Sequence, residues 1–341
     1  MTNHGFQDPS RRRFLLGAGA LASLVALPGG CATEHELRPR TVTPGASPIL
    51  TALRYGITAP SPHNTQPWLF EVRGDHEARL YFDRDRRLVF TDPPIRQGHL
   101  GHGTLLETVA LAAPRFGHRA RIELLPEGPM TPQTYGERPT AIIRVVPDAD
   151  ARPEPLADAM ATRRTSRLVH EGPPITADEG RTIAADITAP DGVTIEVITD
   201  DRVAALREMA KEAMAIEVDD RELYGETLTW FRFTPEQIRE QGDGLNLQTA
   251  DSDTAAARMF LKPSNWHAKT NRRVYLKRFD AAVDSTTAFV TLSTDDDTMR
   301  DWIVAGQAWL RTQLAAHRHG LWMHPLSQIL QEFPQMDPLR P

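Results

Sequence analysis

The sequence predicts an α+β fold made of two related halves, with mixed or antiparallel sheets flanked by helices. Three observations carry that expectation. WLFEV (68–72) and ARLYF (78–82), separated by RGDHE, read as a hairpin. The segments 101–117 and 295–320 show the apolar spacing of long helices. Those two segments also match each other without gaps: Gly103 falls on Gly306, Leu111 on Leu314, Ala112 on Ala315, Ala113 on Ala316, Arg115 on Arg318 and Gly117 on Gly320.

The remaining elements follow in chain order. A short helix is expected from Pro48 to Ile57. RARIEL (119–124) and TAIIRVV (140–146) are strand-like, and PLADAMATRRTSR (155–167) reads as a helix with a basic end. VTIEVIT (193–199) and TAFVTLST (287–294) read as strands. Residues 201–285 differ in character, with helices near 201–217 and 235–241 and a polar, Asp-rich stretch. The acidic run Asp295–Asp297 precedes the last long helix and reads as a capping and dipole feature rather than a metal cluster.

Bulk properties exclude several classes. With 341 residues and 40% hydrophobic content, the chain can bury a substantial core. A net charge of −6 argues against a nucleic-acid or anionic-membrane surface. One cysteine, Cys31, rules out an intramolecular disulfide framework and a Cys-based zinc site. His317 and His319 point to different faces of their helix, so no metal site is expected there.

The beginning reads as an address. Arg11, Arg12 and Arg13 precede Phe14 and Leu15, and an apolar run continues to Leu27. The run is short for a membrane span and resembles a twin-arginine export signal over residues 1–31. LPGGC at its end is a loose lipobox, which makes Cys31 a candidate for lipid attachment. The expected location is therefore periplasmic, either free or anchored by lipid. Residues 32–47 read as a polar tether.

The repeat then organises the rest. ITAP occurs twice, at Ile57–Pro60 and Ile187–Pro190, in the same order relative to the matched helices. The halves are 48–146 and 155–341, and the extra length of the second lies in 201–285. Such duplication can imitate a homodimer within one chain, so a monomer is expected.

Two motifs are kept once each. The first half holds APSPHNTQPW, in which prolines stiffen a loop carrying Asn64 and Gln66. Side-chain amides offer a donor beside an acceptor, matching a heterocycle edge with C=O next to N–H. The bland alternative is a turn whose amides cap backbone groups. The second half holds RRTSR, Arg163–Arg167, whose guanidiniums and hydroxyls suit phosphate oxygens. The bland alternative there is a solvated basic face.

Together these residues resemble the FMN-dependent nitroreductase family. APSPHNTQPWLFEV is similar to its Asn-Gln-Pro-Trp signature, RRTSR to its opening arginine motif, and WIVAGQAWLRTQLAAHRHGLWMHPLSQ to its core helix and following loop. The duplication, ELYGETLTWFRF and PLSQ resemble the internally duplicated Acg-like subgroup, over roughly residues 48–336. The resemblance implies a nitroreductase-like fold with FMN between the halves. Arg163, Thr165 and Arg167 would hold the phosphate. Pro60, Ser61, Asn64 and Gln66 would face the flavin ring, and Pro325, Leu326 and Ser327 would add backbone contacts. A small-molecule donor such as NAD(P)H and a nitro, quinone or similar acceptor would be the partners, along with the twin-arginine export machinery. Family members usually continue beyond the equivalent of Pro341 through a strand with a basic phosphate contact, so weaker flavin affinity is expected. The resemblance also implies a lid from the insert, with Trp230, Phe231, Trp266 or Tyr275 covering the flavin. Two alternatives stay open: a flavin-sequestering protein with little turnover, and a cofactor-free extracytoplasmic protein that retains the fold.

Overall fold

The computed structural model describes residues 41–131, 133–246, 262–331 and Met336. The twin-arginine segment and Cys31 lie outside these residues.

Helix α1 (Pro48–Gly56) starts where Ser47 accepts from the Leu50 amide and Pro48 occupies the first turn. It buries Ile49, Ala52 and Leu53. The expected hairpin follows as β1 (Trp68–Arg73) and β2 (Glu77–Phe82), paired Trp68 to Phe82 and Arg73 to Glu77. Helix α2 (Arg96–Ala112) comes next, its N-terminus held by the Asp92 carboxylate, which accepts from the amides of Gln97 (3.1 Å) and Gly98 (2.9 Å). Strands β3 (His118–Leu124) and β4 (Ala141–Pro147) complete a four-stranded antiparallel sheet ordered β1-β2-β4-β3. The sheet, α1 and α2 enclose the main core, to which Met299 and Ile303 also contribute.

The basic segment departs from the expected helix. Only Pro155–Ala161 is helical, as a 3₁₀ stretch. Arg163–Arg167 then runs as extended chain, with Thr165 forming a parallel bridge to Met323 and the Ser166 amide donating to the Met323 carbonyl at 3.0 Å. The periodicity that suggests a helix stops at Ala161 because Thr162 and the arginines take up tertiary partners. Thr162 Oγ1, for example, lies 2.8 Å from His317 Nε2.

Helix α3 (Ala177–Ala185) opens with a Thr176/Glu179 capping box and leads to β5 (Val193–Ile198). The insert contains α4 (Arg202–Asp219), α5 (Arg221–Thr229), the short β6 (Phe231–Arg232), α6 (Pro235–Gln241), β7 (Leu245–Asn246) and α7 (Lys269–Asp284). Strand β8 (Phe289–Thr294) pairs antiparallel with β5, and α8 (Met299–Arg318) follows it. The cap of α8 is Thr298 with Asp301. The acidic run does other work: Asp297 accepts from Trp302 Nε1 at 2.6 Å and pairs with Arg96 at 3.0 Å.

The order helix, strand, strand, long helix thus occurs twice. ITAP closes the first helix each time, since Ile57 caps α1 and Ile187 follows Asp186, the cap of α3. Helices α2 and α8 cross at the two glycines the sequence match pairs. A methyl group on Gly103 would overlap the Ile303 carbonyl oxygen and lie 2.8 Å from the Gly306 Cα. A methyl group on Gly306 would overlap the Leu100 carbonyl oxygen and lie 2.8 Å from the Leu100 Cα. Leu100 and Ile303 are themselves equivalent under the match. The contact is therefore reciprocal, as across a twofold axis.

Candidate functional site

The APSPHNTQPW loop is strained. His63 (φ 46°), Asn64 (φ 53°) and Gln66 (φ 51°) all lie in the left-handed region, which costs roughly 1–2 kcal/mol per ordinary residue. Neighbours hold it there. Ser61 Oγ accepts from the Gln66 amide at 3.0 Å, and Thr104 Oγ1 of α2 donates to the Pro60 carbonyl at 2.6 Å. A methyl at Gly101 would press on Pro62 Cδ at 3.2 Å, so the glycines of GHLGHG serve close packing. At the far end, His102 Nε2 lies 2.9 Å from the Pro67 carbonyl, with Nδ1 on Thr140 Oγ1 at 3.0 Å.

The two loop amides face the insert. Asn64 Nδ2 donates to the Gly244 carbonyl (3.1 Å), and Gln66 Nε2 to the Gly242 carbonyl (2.8 Å). The Gly244 amide returns a bond to the Asn64 carbonyl at 3.0 Å. Between those glycines, Asp243 pairs with Arg86 of the first half at 2.8 Å and with Arg232 of the insert at 2.6 Å. A second clamp lies nearby. The Glu226 carboxylate of α5 accepts from the amides of Val89, Phe90 and Thr91 and from Thr91 Oγ1 at 2.7 Å. The insert thus sits on the loop through the loop's own recognition groups.

The arginine motif approaches from the other half. Arg163 is 5% exposed and donates to Gln313 Oε1 of α8 at 3.2 Å. Burial, and then the neighbouring Arg164, push it down to about 10. Together with Thr58, Ala59, Thr108, Met160, Leu310 and Leu314 it lines a cavity of about 10 Å³, near the lower limit for one water molecule. The first ITAP and the second half's arginine therefore share one cavity. Arg167 lies farther along. Its guanidinium makes no hydrogen bond or ion pair among the described residues, and burial lowers its pKa. Its charge reaches His63 of the loop. That imidazole is pushed down to about 4, by burial first and Arg167 second. Arg167 also acts on His324, pushed down to about 3 mainly by burial.

The bridge from Thr165 to Met323 lays RRTSR beside the chain leading to Pro325, Leu326 and Ser327. Ser327 Oγ donates to Gln97 Oε1 of α2 at 3.3 Å. Leu326 packs on the apolar cluster of the insert, with Tyr224, Trp266 and Phe279. Of the four aromatic residues expected over a ligand, Trp266 departs. It is 2% exposed, stacks on Tyr224 at 4.7 Å and donates Nε1–H to the Tyr224 carbonyl at 3.0 Å, so it is core. Trp230 sits between Arg86 and Arg232, at 6.0 and 5.7 Å from its ring centroid. Tyr275 is the one near Arg167.

The structure therefore packs the loop against α2 through Pro60 and Ser61, ties Arg163 to α8, lays Thr165 beside Met323, and holds Ser327 on α2 and Leu326 on the insert. His63 and Arg167 are where they meet. Sequence reasoning passed over Glu217, whose carboxyl lies in the same region. Its signal was present: Ala210, Ala213, Met214, Glu217 and Val218 share the buried face of α4, and a carboxylate on an apolar stripe is unusual. Among the described residues, no group of three or more His, Cys, Asp or Glu side chains is arranged to hold a metal ion, and no helix is long and apolar enough to cross a membrane.

No protein family model matches the chain. It is similar to the "Putative NAD(P)H nitroreductase acg" of Mycobacterium tuberculosis, 31% identical over 182 residues, covering 53% of each chain. A second protein of that organism carrying the same nitroreductase designation is 30% identical over 190 residues, covering 55% of this chain and 52% of its own. A third, named only as an uncharacterized protein, is 24% identical over 296 residues, covering 86% and 81%. The chain spans about half the length of the first two relatives. Both of those relatives are named as putative NAD(P)H nitroreductases.

Proposed function

We propose that the chain is an FMN-binding oxidoreductase of nitroreductase type, exported by the twin-arginine route, with one composite cofactor site between two duplicated halves. The observation that carries this reading is the meeting of the two singly kept motifs, His63 of the loop with Arg167 of RRTSR. The reciprocal Gly103/Gly306 crossing supports the duplication.

The residues fit the cofactor's chemistry at its anionic end. Burial lowers the pKa of Arg167, and the buried His324 Nδ1 has no hydrogen-bond partner among the described residues. A phosphate would pair with the Arg167 guanidinium. At the ring end, Asn64 and Gln66 would exchange the carbonyls of Gly244 and Gly242 for the flavin edge. When bound, the flavin supplies hydride acceptance and donation, while the protein positions it and excludes water. Arg163 and Arg167 supply positive charge, α2 and α8 hold the two walls at fixed separation, and the insert covers the loop. The donor is a reduced nicotinamide, and the acceptor a nitro compound, a quinone or another small oxidant. The product would be released to the periplasm, with the protein free there or held by lipid at Cys31.

One observation favours a second reading. The insert already bonds both loop amides and is clamped to the first half at Asp243 and Glu226, which suits a flavin-sequestering protein with slow turnover. A visible spectrum of the leaderless protein after incubation with FMN separates the readings. A flavin band that NADH or NADPH bleaches supports the oxidoreductase. A band that neither bleaches supports sequestration, and the lack of any band sinks both.

Arg163→Ala and Asn64→Ala, in different halves, are each expected to lower FMN affinity. Loss of a charged hydrogen bond is worth about 1.5–3 kcal/mol, about ten- to a hundred-fold in Kd. Fluorescence titration of FMN reads this directly, and unchanged affinity in both variants refutes the composite site.

A further inference from the structure

We propose that strand β8 is a self-association edge, on which β8 of a second copy of this chain pairs antiparallel about a twofold axis. The second sheet then has four strands, ordered β5-β8-β8-β5. This association goes beyond the cofactor reading and does not depend on it.

The repeat supplies the template. By order, β1 and β2 of the first half correspond to β5 and β8 of the second. Strand β2 pairs on both sides, with β1 and with β4, and that sheet continues to β3. Strand β8 pairs on one side only, from Phe289 opposite Ile198 to Thr294 opposite Val193. Among the described residues no strand lies on its other side, and the backbone of Phe289–Thr294 makes no hydrogen bond except to β5. Two-stranded sheets are marginal by themselves. What the edge lacks is an antiparallel neighbour, as β4 is to β2, and a twofold axis brings β8 to β8 in that sense. The second copy's β5 then stands where β3 stands in the first sheet.

The chemistry of the edge agrees. Natural sheets blunt exposed edges with charges, prolines or bulges. The other edge strands of these two antiparallel sheets carry charges. Glu71 and Arg73 lie on β1, and the exposed Arg119, Arg121 and Glu123 on β3. Glu196 lies on β5, paired with Arg202 at 2.7 Å. From Ser285 to Thr294, by contrast, the chain reads STTAFVTLST, with no charge, proline or glycine between Asp284 and Asp295. Thr, Val and Phe favour strands. Thr291 and Ser293 are exposed, whereas Val290 and Leu292 are half-buried, so a polar face is turned outward. The entry to the strand is held in place. Arg207 Nε donates to the Thr286 carbonyl at 2.8 Å, and the Ile175 amide to Thr287 Oγ1 at 3.3 Å. An edge already fixed loses little freedom when it pairs.

The strand is complementary to itself. Residues directly opposite each other in an antiparallel pair share a face, so with the two strands centred Thr291 lies opposite Thr291 or Ser293 of the other copy. Such hydroxyl pairs are mildly favourable, and no like charges meet. An edge of six residues makes a small interface, so the association is weak and concentration-dependent. Each copy carries a net charge of −6, so salt should strengthen the pairing by screening the general repulsion. The duplicated halves already imitate a dimer within one chain, and this association adds a true twofold to that pseudo-twofold.

The test uses the leaderless protein. Sedimentation velocity over rising protein concentration should show a monomer passing to a dimer, with more dimer at higher salt. Amide exchange read by mass spectrometry should slow in residues 286–294 as the dimer forms and stay unchanged in β1. Thr291→Lys/Ser293→Lys sets like charges against each other across the axis and should raise the dissociation constant about tenfold. The new lysine at position 291 faces Glu196 of β5, so the strand keeps a favourable neighbour within its own sheet. A monomer at every concentration overturns the proposal. So does a dimer in which exchange of 286–294 is unchanged, or one that the double variant forms as readily as the parent. Should the double variant fail to fold, the exchange experiment on the parent decides by itself.

Discussion

Gly103→Val and Gly306→Val are each expected to unfold the protein or cost it several kcal/mol, and by similar amounts. The argument is steric. Added side-chain atoms in a packed core typically cost 1–3 kcal/mol, more where the neighbour cannot move. Here the neighbour is backbone: the carbonyl of Ile303 for Gly103 and that of Leu100 for Gly306. Helix carbonyls cannot rotate away without breaking their own hydrogen bonds, so the whole helix must shift. Glycine costs a helix roughly 0.5–1 kcal/mol relative to alanine, so two at the centres of long helices need a reason. Close approach of α2 and α8 is that reason. The reciprocity makes the prediction sharper than an ordinary core test. Under a pseudo-twofold relation the two sites are equivalent, and thermal unfolding of the two single variants should drop alike. A large drop for one and none for the other would count against the duplicated architecture. Since α2 carries Thr104 under the loop and α8 carries Gln313 on Arg163, partial separation of the helices should also weaken FMN binding.

The pairing of those glycines was legible in the sequence because matching helices keep their contact residues. The hairpin, the long helices and the helix that ends at the first ITAP were legible for similar local reasons: periodicity, capping residues and prolines. The extended course of Arg163–Arg167 was not. PLADAMATRRTSR has helix-compatible composition, but its last third is held by Met323 and by tertiary bonds that no local pattern encodes. The site divides in the same way. Proline spacing marks the Asn64/Gln66 loop as special, and arginine density marks RRTSR. Neither shows that Gly242 and Gly244 would take the loop's amides, because that contact depends on how an insert more than 170 residues away folds back. Trp266 looked like a lid because large aromatics in an insert suit either role. Its stacking on Tyr224, which decides for core, is tertiary. Glu217 was readable in principle, as a carboxylate on an apolar helix stripe, and so was Glu107 on α2.

Glu107 leads to the second large effect. Arg311→Ala is expected to destabilise the protein by about 3–5 kcal/mol, the usual cost of removing one partner of a buried ion pair. Arg311 of α8 is 7% exposed and pairs with Glu107 of α2, itself 7% exposed, at 2.5 Å. Glu154, just before the 3₁₀ stretch that leads to RRTSR, bonds the other side of the guanidinium. Burial raises the Glu107 pKa and Arg311 lowers it, so the arginine is what keeps the carboxylate charged there. Without Arg311 the acid must take up a proton or stay charged and unpaired, and both cost stability. The sign of the pH effect follows. A Glu107 with a raised folded-state pKa and no partner binds more protons than the unfolded chain, so Arg311→Ala should lose further stability as pH rises above the ordinary carboxylate range. The double variant Glu107→Leu/Arg311→Met removes both charges and should recover most of the loss, since apolar replacements of buried pairs are often neutral or stabilising. Denaturant unfolding of the two variants at several pH values measures all of this. A single variant as stable as the parent would mean that α2 and α8 are held by glycine packing alone. The expected result gives the ion pair a further role, fixing the register of the two helices and, through Glu154, the start of the chain that delivers Arg163 and Arg167 to the loop.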